Sequence, residues 1–140
     1  MVLLDVNVLL ALAWPNHQFH ASATRRLARA ERWATCALTE LGFIRLSSNP
    51  AVVAAAKSPT EAAALLAVMV KDPQHVYLRS LDPPSDEESI RMFERTLGSR
   101  QVTDAYLLRA ARQHKAKLLT FDARLKSLSR DEGEVEVLLA

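Results

Sequence analysis

The sequence predicts an α/β fold on a mainly parallel sheet, and three observations lead there. Short apolar runs that read as strands alternate with longer stretches that read as helices, the pattern of βα units around a parallel sheet. The opening Val2-Leu3-Leu4 is continuously apolar, as in a strand covered on both faces. Breakers such as Pro15-Asn16, Asn49-Pro50 and Asp72-Pro73 separate the segments.

Taken in order, the first strand ends at Asp5 and a helix runs on to about Trp14. Phe19 to Ala30 reads as a second helix with Arg25, Arg26 and Arg29 on its outer face. Trp33 to Ala37 is a strand candidate, and Leu38 to Ser48 a helix. Ser58-Pro59-Thr60-Glu61 is a strong helix start, with Ser as N-cap, Pro at the first position and Glu closing a capping box. That helix is expected to reach about Lys71. Val76 to Leu81 is a third strand. Ser85 to Leu97 is a helix with acids in its first turn, where the helix dipole favours them. Thr103 to His114 is a helix, Lys117 to Phe121 a fourth strand and Val135 to Leu138 a short fifth.

With 140 residues, 49% hydrophobic and 24% charged, the chain is expected to form one soluble domain over residues 1–140. A net charge of +2 does not argue for nucleic acid by itself. Its distribution says more, because Ala105 to Arg130 holds seven Lys or Arg and one acid, Asp122. Cys36 is the single cysteine, which excludes an internal disulfide or a thiolate zinc site and suits the cytoplasm. No basic leader precedes the first apolar run, and the longest such run, Ala62 to Val70, is too short to cross a bilayer. A cytoplasmic protein without membrane contact is expected.

Four acids carry the chemistry. Asp5 ends the first strand and Asp122 follows Leu118-Leu119-Thr120-Phe121, so both fall at carboxyl ends of strands, where open α/β sheets bind ligands. Glu40 precedes Phe43 and Ile44 by three and four residues, and Asp104 precedes Leu107 and Leu108 likewise, which aligns both acids with apolar helix faces. A buried carboxylate is costly unless paired or bound to a cation. Oxygen-only donors suit magnesium or manganese, and such an ion makes water a nucleophile at neutral pH. Taken singly, Asp5 reads as an N-cap, Glu40 and Asp104 as first-turn acids and Asp122 as a turn residue. Their joint placement favours the cation site.

At these residues the chain resembles the PIN-domain family, and within it the VapC-type toxins. Leu4-Asp5-Val6-Asn7-Val8-Leu9 is similar to the first motif, Thr39-Glu40-Leu41 with Phe43-Ile44-Arg45 to the second, Val102-Thr103-Asp104-Ala105-Tyr106-Leu107 to the third and Leu119-Thr120-Phe121-Asp122 to the fourth. The resemblance implies a three-layer α/β/α sandwich and a magnesium- or manganese-dependent endoribonuclease held in check by a cognate antitoxin. It makes Asp5, Glu40, Asp104 and Asp122 the acidic quartet that holds the metal, and gives Asn7 and Thr120 the polar positions that orient ligands or waters. A homodimer is implied on the same ground. Asn7 stands where the commoner form has Ser or Thr.

The basic residues flanking the quartet, Arg109, Arg112 and Lys115 with Lys117, Arg124 and Lys126, are candidate phosphate contacts for RNA. As a plain alternative they form a solvated helix face. Arg45 is a further candidate, or else the partner of a nearby acid. His17 and His20 lack a third nitrogen or sulfur ligand and read as solvent-facing, Trp14 and Phe19 as core or interface, and His75 and His114 as surface. A haloacid-dehalogenase-type phosphatase needs an acid two residues after its first Asp, where Asn7 stands, and a receiver domain needs an early acidic pair. The remaining alternatives are a PIN nuclease of RNA processing and a non-catalytic PIN scaffold that binds a protein.

Overall fold

A computed structural model describes residues 1–139. Its centre is a five-stranded sheet in the order β3-β2-β1-β4-β5, comprising β1 (Val2–Leu4), β2 (Trp33–Thr35), β3 (His75–Tyr77), β4 (Lys117–Thr120) and β5 (Val135–Val137). Every neighbouring pair is parallel, with Leu3 opposite Ala34 on one side and Leu118 on the other.

Side chains alternate across the pleat, so each central strand feeds two cores. Val2, Leu4, Trp33 and Leu119 point into one, which α1 (Val6–Ala13), α2 (His20–Leu27), α3 (Ala37–Ser47) and α4 (Pro59–Met69) help to close through Leu9, Ala23, Phe43 and Leu66. Leu3, Ala34 and Leu118 point into the other, which α5 (Glu87–Glu94) and α6 (Val102–Gln113) cover with Met92, Leu107, Leu108 and Ala111. This is the three-layer α/β/α arrangement expected from the sequence, with the sheet wholly parallel.

Local chemistry sets the element ends. At Ser58 the capping box forms as read: Glu61 N donates to Ser58 Oγ (3.1 Å) and Ser58 N to Glu61 Oε1 (3.0 Å). β2 is shorter than expected, because Cys36 N donates to Thr39 Oγ1 at 3.0 Å and turns the chain into α3. β3 stops at Tyr77 rather than Leu81, since its one partner strand ends at Thr35 and Leu78 N already donates to Thr35 O. A 3-10 turn, Ala123–Leu128, follows Asp122 where the sequence suggested no element.

Two features aim the helices that carry Glu40 and Asp104. Gly42 lets α3 approach α1 closely, as a Cβ there would lie 2.8 Å from Val6 Cγ2. Gly98, at φ 152°, takes a backbone conformation that side chains disfavour and starts the turn into α6. Among the described residues no helix is long and apolar enough to cross a membrane.

Candidate active site

The strand order places the site. From β1 the chain builds outward through β2 and β3, then returns to add β4 on the other side of β1. Ligands of open α/β sheets bind in the crevice at such a reversal, beyond the carboxyl ends of the strands. Asp5 follows β1 and Asp122 follows β4 there, and Asp5 N donates to Leu119 O at 3.0 Å to tie the two ends together.

Asp5 is only 6% exposed. Its extended backbone makes it the N-cap residue of α1, yet its carboxylate makes no capping bond. Instead Oδ2 accepts from Thr120 Oγ1 at 2.7 Å, and Asp122 N donates to the same hydroxyl oxygen at 3.1 Å. One threonine thus joins the two strand-end acids. Burial pushes the Asp5 carboxyl above its ordinary range; the Thr120 bond and the Val6 amide oppose this, and the Asp122 charge adds to it.

Asp104 enters from the first turn of α6. Its pKa is pushed up to about 6, first by burial and then by the charges of Asp5 and Asp122, against a lowering by Arg124. Asp122 is held below the usual carboxylate range, chiefly by Arg124. That guanidinium donates from Nε (2.9 Å) and Nη2 (2.9 Å) to the Asp122 oxygens, and Arg124 N donates to Oδ1 at 2.9 Å. Asp122 therefore caps the turn that follows it while its charge also acts on Asp104.

Glu40 follows a different course. Its Oε2 accepts from Thr35 Oγ1 at 3.0 Å, and Thr35 Oγ1 lies 2.7 Å from His75 Nε2. A hydroxyl has one proton to give; with Thr35 donating to Glu40, His75 donates from Nε2 to Thr35. Burial lowers the His75 pKa against the raising effect of Glu40 and Asp72, so the ring is neutral at neutral pH. Trp33 packs against it with ring centroids 4.6 Å apart, and Trp33 Nε1 donates to Asp72 Oδ2 at 3.0 Å. His75, read from the sequence as a surface residue, is instead half-buried. Thr35 was not singled out at all, and its only sequence signal is its position five residues before Glu40 at a strand end.

The structure therefore brings Asp5, Asp104, Asp122 and Thr120 together, with Glu40 turned toward Thr35. Among the described residues no three His, Cys, Asp or Glu side chains converge closely enough to hold an ion as they stand. Arg124 draws Asp122 aside and Thr35 engages Glu40. The donor set is all oxygen, and burial, with neighbouring acids adding to it, pushes the Asp5 and Asp104 carboxyls above their ordinary range. Both features fit a hard divalent cation. Asn7 is exposed and lines a separate cleft with Trp14, His17 and Val52.

Two of the expected phosphate contacts on α6, Arg109 and Arg112, are engaged by acids of the fold. Arg109 is buried, with 6% of its side chain exposed, and pairs with Asp82 (3.0 Å), Asp86 (2.8 Å) and Glu88 (3.5 Å). Arg112 is bound by Glu134, from Nε at 2.6 Å and Nη2 at 2.9 Å. Lys115 is exposed but follows the end of α6. At about 1.5 Å per residue Arg109 and Arg112 lie roughly 7.5 and 12 Å along the helix axis from Asp104, with Lys115 past the helix end. The packing of α5 on α6 accounts for Arg109, and Glu134 for Arg112. Arg45 is exposed in the last turn of α3. The cation beside the acids is Arg124.

Comparison with known proteins agrees with this geometry. The sequence matches the PIN domain family over residues 2–131. It is 41% identical over 138 residues to ribonuclease VapC39 of Mycobacterium tuberculosis, covering 97% of this chain and 98% of that protein. Against ribonuclease VapC38 of the same organism the identity is 38% over 141 residues, covering 99% and 97%. Among solved structures, VapC20 of Mycobacterium tuberculosis, described as a sarcin–ricin-loop-cleaving toxin, superposes with a TM-score of 0.70 at 14% identity over 94% of this chain and 98% of that one. A chain of a toxin–antitoxin complex from Klebsiella pneumoniae gives 0.56 at 17% identity over 98% and 97%. At those identities the likeness is one of fold. With the family match over most of its length and near full-length VapC relatives, the chain belongs to the PIN-domain family, in its VapC ribonuclease branch.

Proposed function

We propose that this protein is a magnesium- or manganese-dependent endoribonuclease, the toxin of a toxin–antitoxin pair, with Asp5, Glu40, Asp104 and Asp122 as its metal-holding acids. One observation carries the reading. Asp104 rises to about 6 first through burial and then through the charges of Asp5 and Asp122, so three carboxylates share one field at the switch point of the sheet. A bound divalent cation would relieve that field, polarise a phosphate oxygen and acidify a water.

The chain's own residues divide the remaining work. Thr120 fixes Asp5 at the floor of the crevice. Asp104 adds a second carboxylate from α6. Arg124, with 79% of its side chain exposed, balances Asp122 and places a positive charge at the rim, where an RNA phosphate would arrive. His75 and Thr35 hold Glu40. RNA is the substrate in this reading, and a cognate antitoxin and a second copy of the chain are its protein partners. The VapC ribonuclease relatives support the assignment.

Purified protein, free of antitoxin, is to be incubated with a panel of tRNA and structured RNA in magnesium or manganese. Asp5→Asn and a chelator control run beside it. Cuts that need the metal and vanish in the variant are expected. A folded protein that cuts nothing in either metal shifts the assignment to a protein-binding PIN scaffold.

A further inference from the structure

Beyond Glu40, away from β1, lies a cleft of about 650 Å³. Its walls are Leu41 and Ile44 of α3 and Val70 past the end of α4, with Glu40, Tyr77 and Arg79 at its polar side. Tyr77 ends the edge strand β3 and is 38% exposed. The Arg79 guanidinium sits over its ring, 5.6 Å from the centroid. Pairing of Thr35 with Tyr77 aims both side chains to the same face of the sheet, which is the face α3 covers.

We propose that this cleft is a nucleobase subsite for single-stranded RNA, with a base stacked against Tyr77 and its phosphate on Arg79. The inference rests on the ribonuclease reading above and adds to it where the substrate is gripped. Three features favour this occupant. Unstacked RNA bases are recognised on aromatic rings and guanidinium planes, and the cleft pairs one of each. Its wall is apolar apart from a few groups, as small-ligand sites are, and its volume falls within the few-hundred-Å³ range of such sites.

Continuity with the carboxylates is the third. Glu40, one of the four acids proposed above to hold the metal, also lines this wall, so one strand of RNA could touch both. Along the carboxyl edge of the sheet, β3 lies two strands from β1, or roughly 10 Å at the spacing of neighbouring strands. A stacked single strand covers that in roughly three nucleotides. The charge order along this edge also fits: Arg124 beside β4, the acids in the middle, Arg79 past β3. An RNA backbone finds a cation on each side of the acids.

The test is binding of short fluorescent single-stranded RNA, adenosine and uridine homopolymers, read by anisotropy in chelator so that nothing is cut. Wild type, Tyr77→Ala, Tyr77→Phe and Arg79→Ala are compared, with circular dichroism as the check on folding. Loss of a stacked base weakens binding by about tenfold or more; Tyr77→Ala should show that loss and Tyr77→Phe should keep wild-type affinity. On a cleaved RNA, Tyr77→Ala should raise KM with kcat at saturation retained. Equal RNA affinity in wild type and Tyr77→Ala overturns the subsite and leaves the nuclease reading standing. A wild type that binds and cuts no RNA overturns both. A Tyr77→Ala chain that turns from dimer to monomer with RNA affinity unchanged assigns the cleft to an interface between copies, and overturns the proposal.

Discussion

Asp104→Asn is expected to lower RNA cleavage by roughly a thousandfold while making the metal-free protein more stable. The first effect follows from losing a carboxylate of the proposed metal-holding set, since several kcal/mol of transition-state stabilisation is at stake and each 1.36 kcal/mol is tenfold. The second follows from the pKa of about 6 against an ordinary 3.8. An acid whose folded pKa is raised binds more protons in the native state than in the unfolded one between those values. Stability therefore falls as pH climbs through that window and stays low above it. Asn carries no charge and removes the penalty. After discounting for solvent screening, the gain at neutral pH is about 1–2 kcal/mol, or roughly 3–7 °C in Tm. Thermal melts in chelator at pH 4 and pH 7.5 check it: the two chains should differ at the higher pH and converge at the lower. In wild type at neutral pH, millimolar magnesium should restore stability, because a ligand that binds only the folded state stabilises it. A melt indifferent to magnesium would contradict this.

Arg109→Ala is expected to cost about 2–3 kcal/mol of stability and to leave RNA affinity unchanged. The side chain is buried between α5 and α6, where Nη1 also donates to Ser89 Oγ at 2.6 Å. Removing one partner of a buried ion pair strands the others. Here Asp82 and Glu88 are about half exposed and can rehydrate, which keeps the loss at the lower end. Urea unfolding gives the stability difference as a shift in midpoint at constant slope, and anisotropy with RNA gives the affinity. Weaker RNA binding at unchanged stability would return Arg109 to the phosphate contacts.

The contrast between Arg109 and Asp104 shows what the sequence can express. Asp104 was legible because its signal is local: an acid one turn before Leu107 and Leu108 on a helix that must cover the sheet. So were Asp5 and Asp122, each placed just after a buried strand by the apolar run before it. The Ser58 capping box was legible for the same reason. Arg109 lies on the same helix, and its spacing from the apolar stripe suggested a solvent face. The residues from Ala105 to Ala111 are all buried, because the acidic end of α5 and the loop before it close over the far side of α6. Nothing within α6 announces that cover. The link from His75 through Thr35 to Glu40 was hidden likewise, since it joins residues 40 apart through the register of β2 on β3. The cation at the site, Arg124, was one of several in a basic run, and only the turn after Asp122 singles it out.

Direct titration with manganese tests whether the acids at the switch point of the sheet hold a divalent cation. Calorimetry, or loss of the free-ion electron paramagnetic resonance signal, would follow binding to wild type, Asp5→Asn and Asp104→Asn without RNA. Saturable uptake by wild type is expected, weakened at least about tenfold in both variants. Uptake that is absent in wild type, or equal in all three chains, would contradict a cation site there.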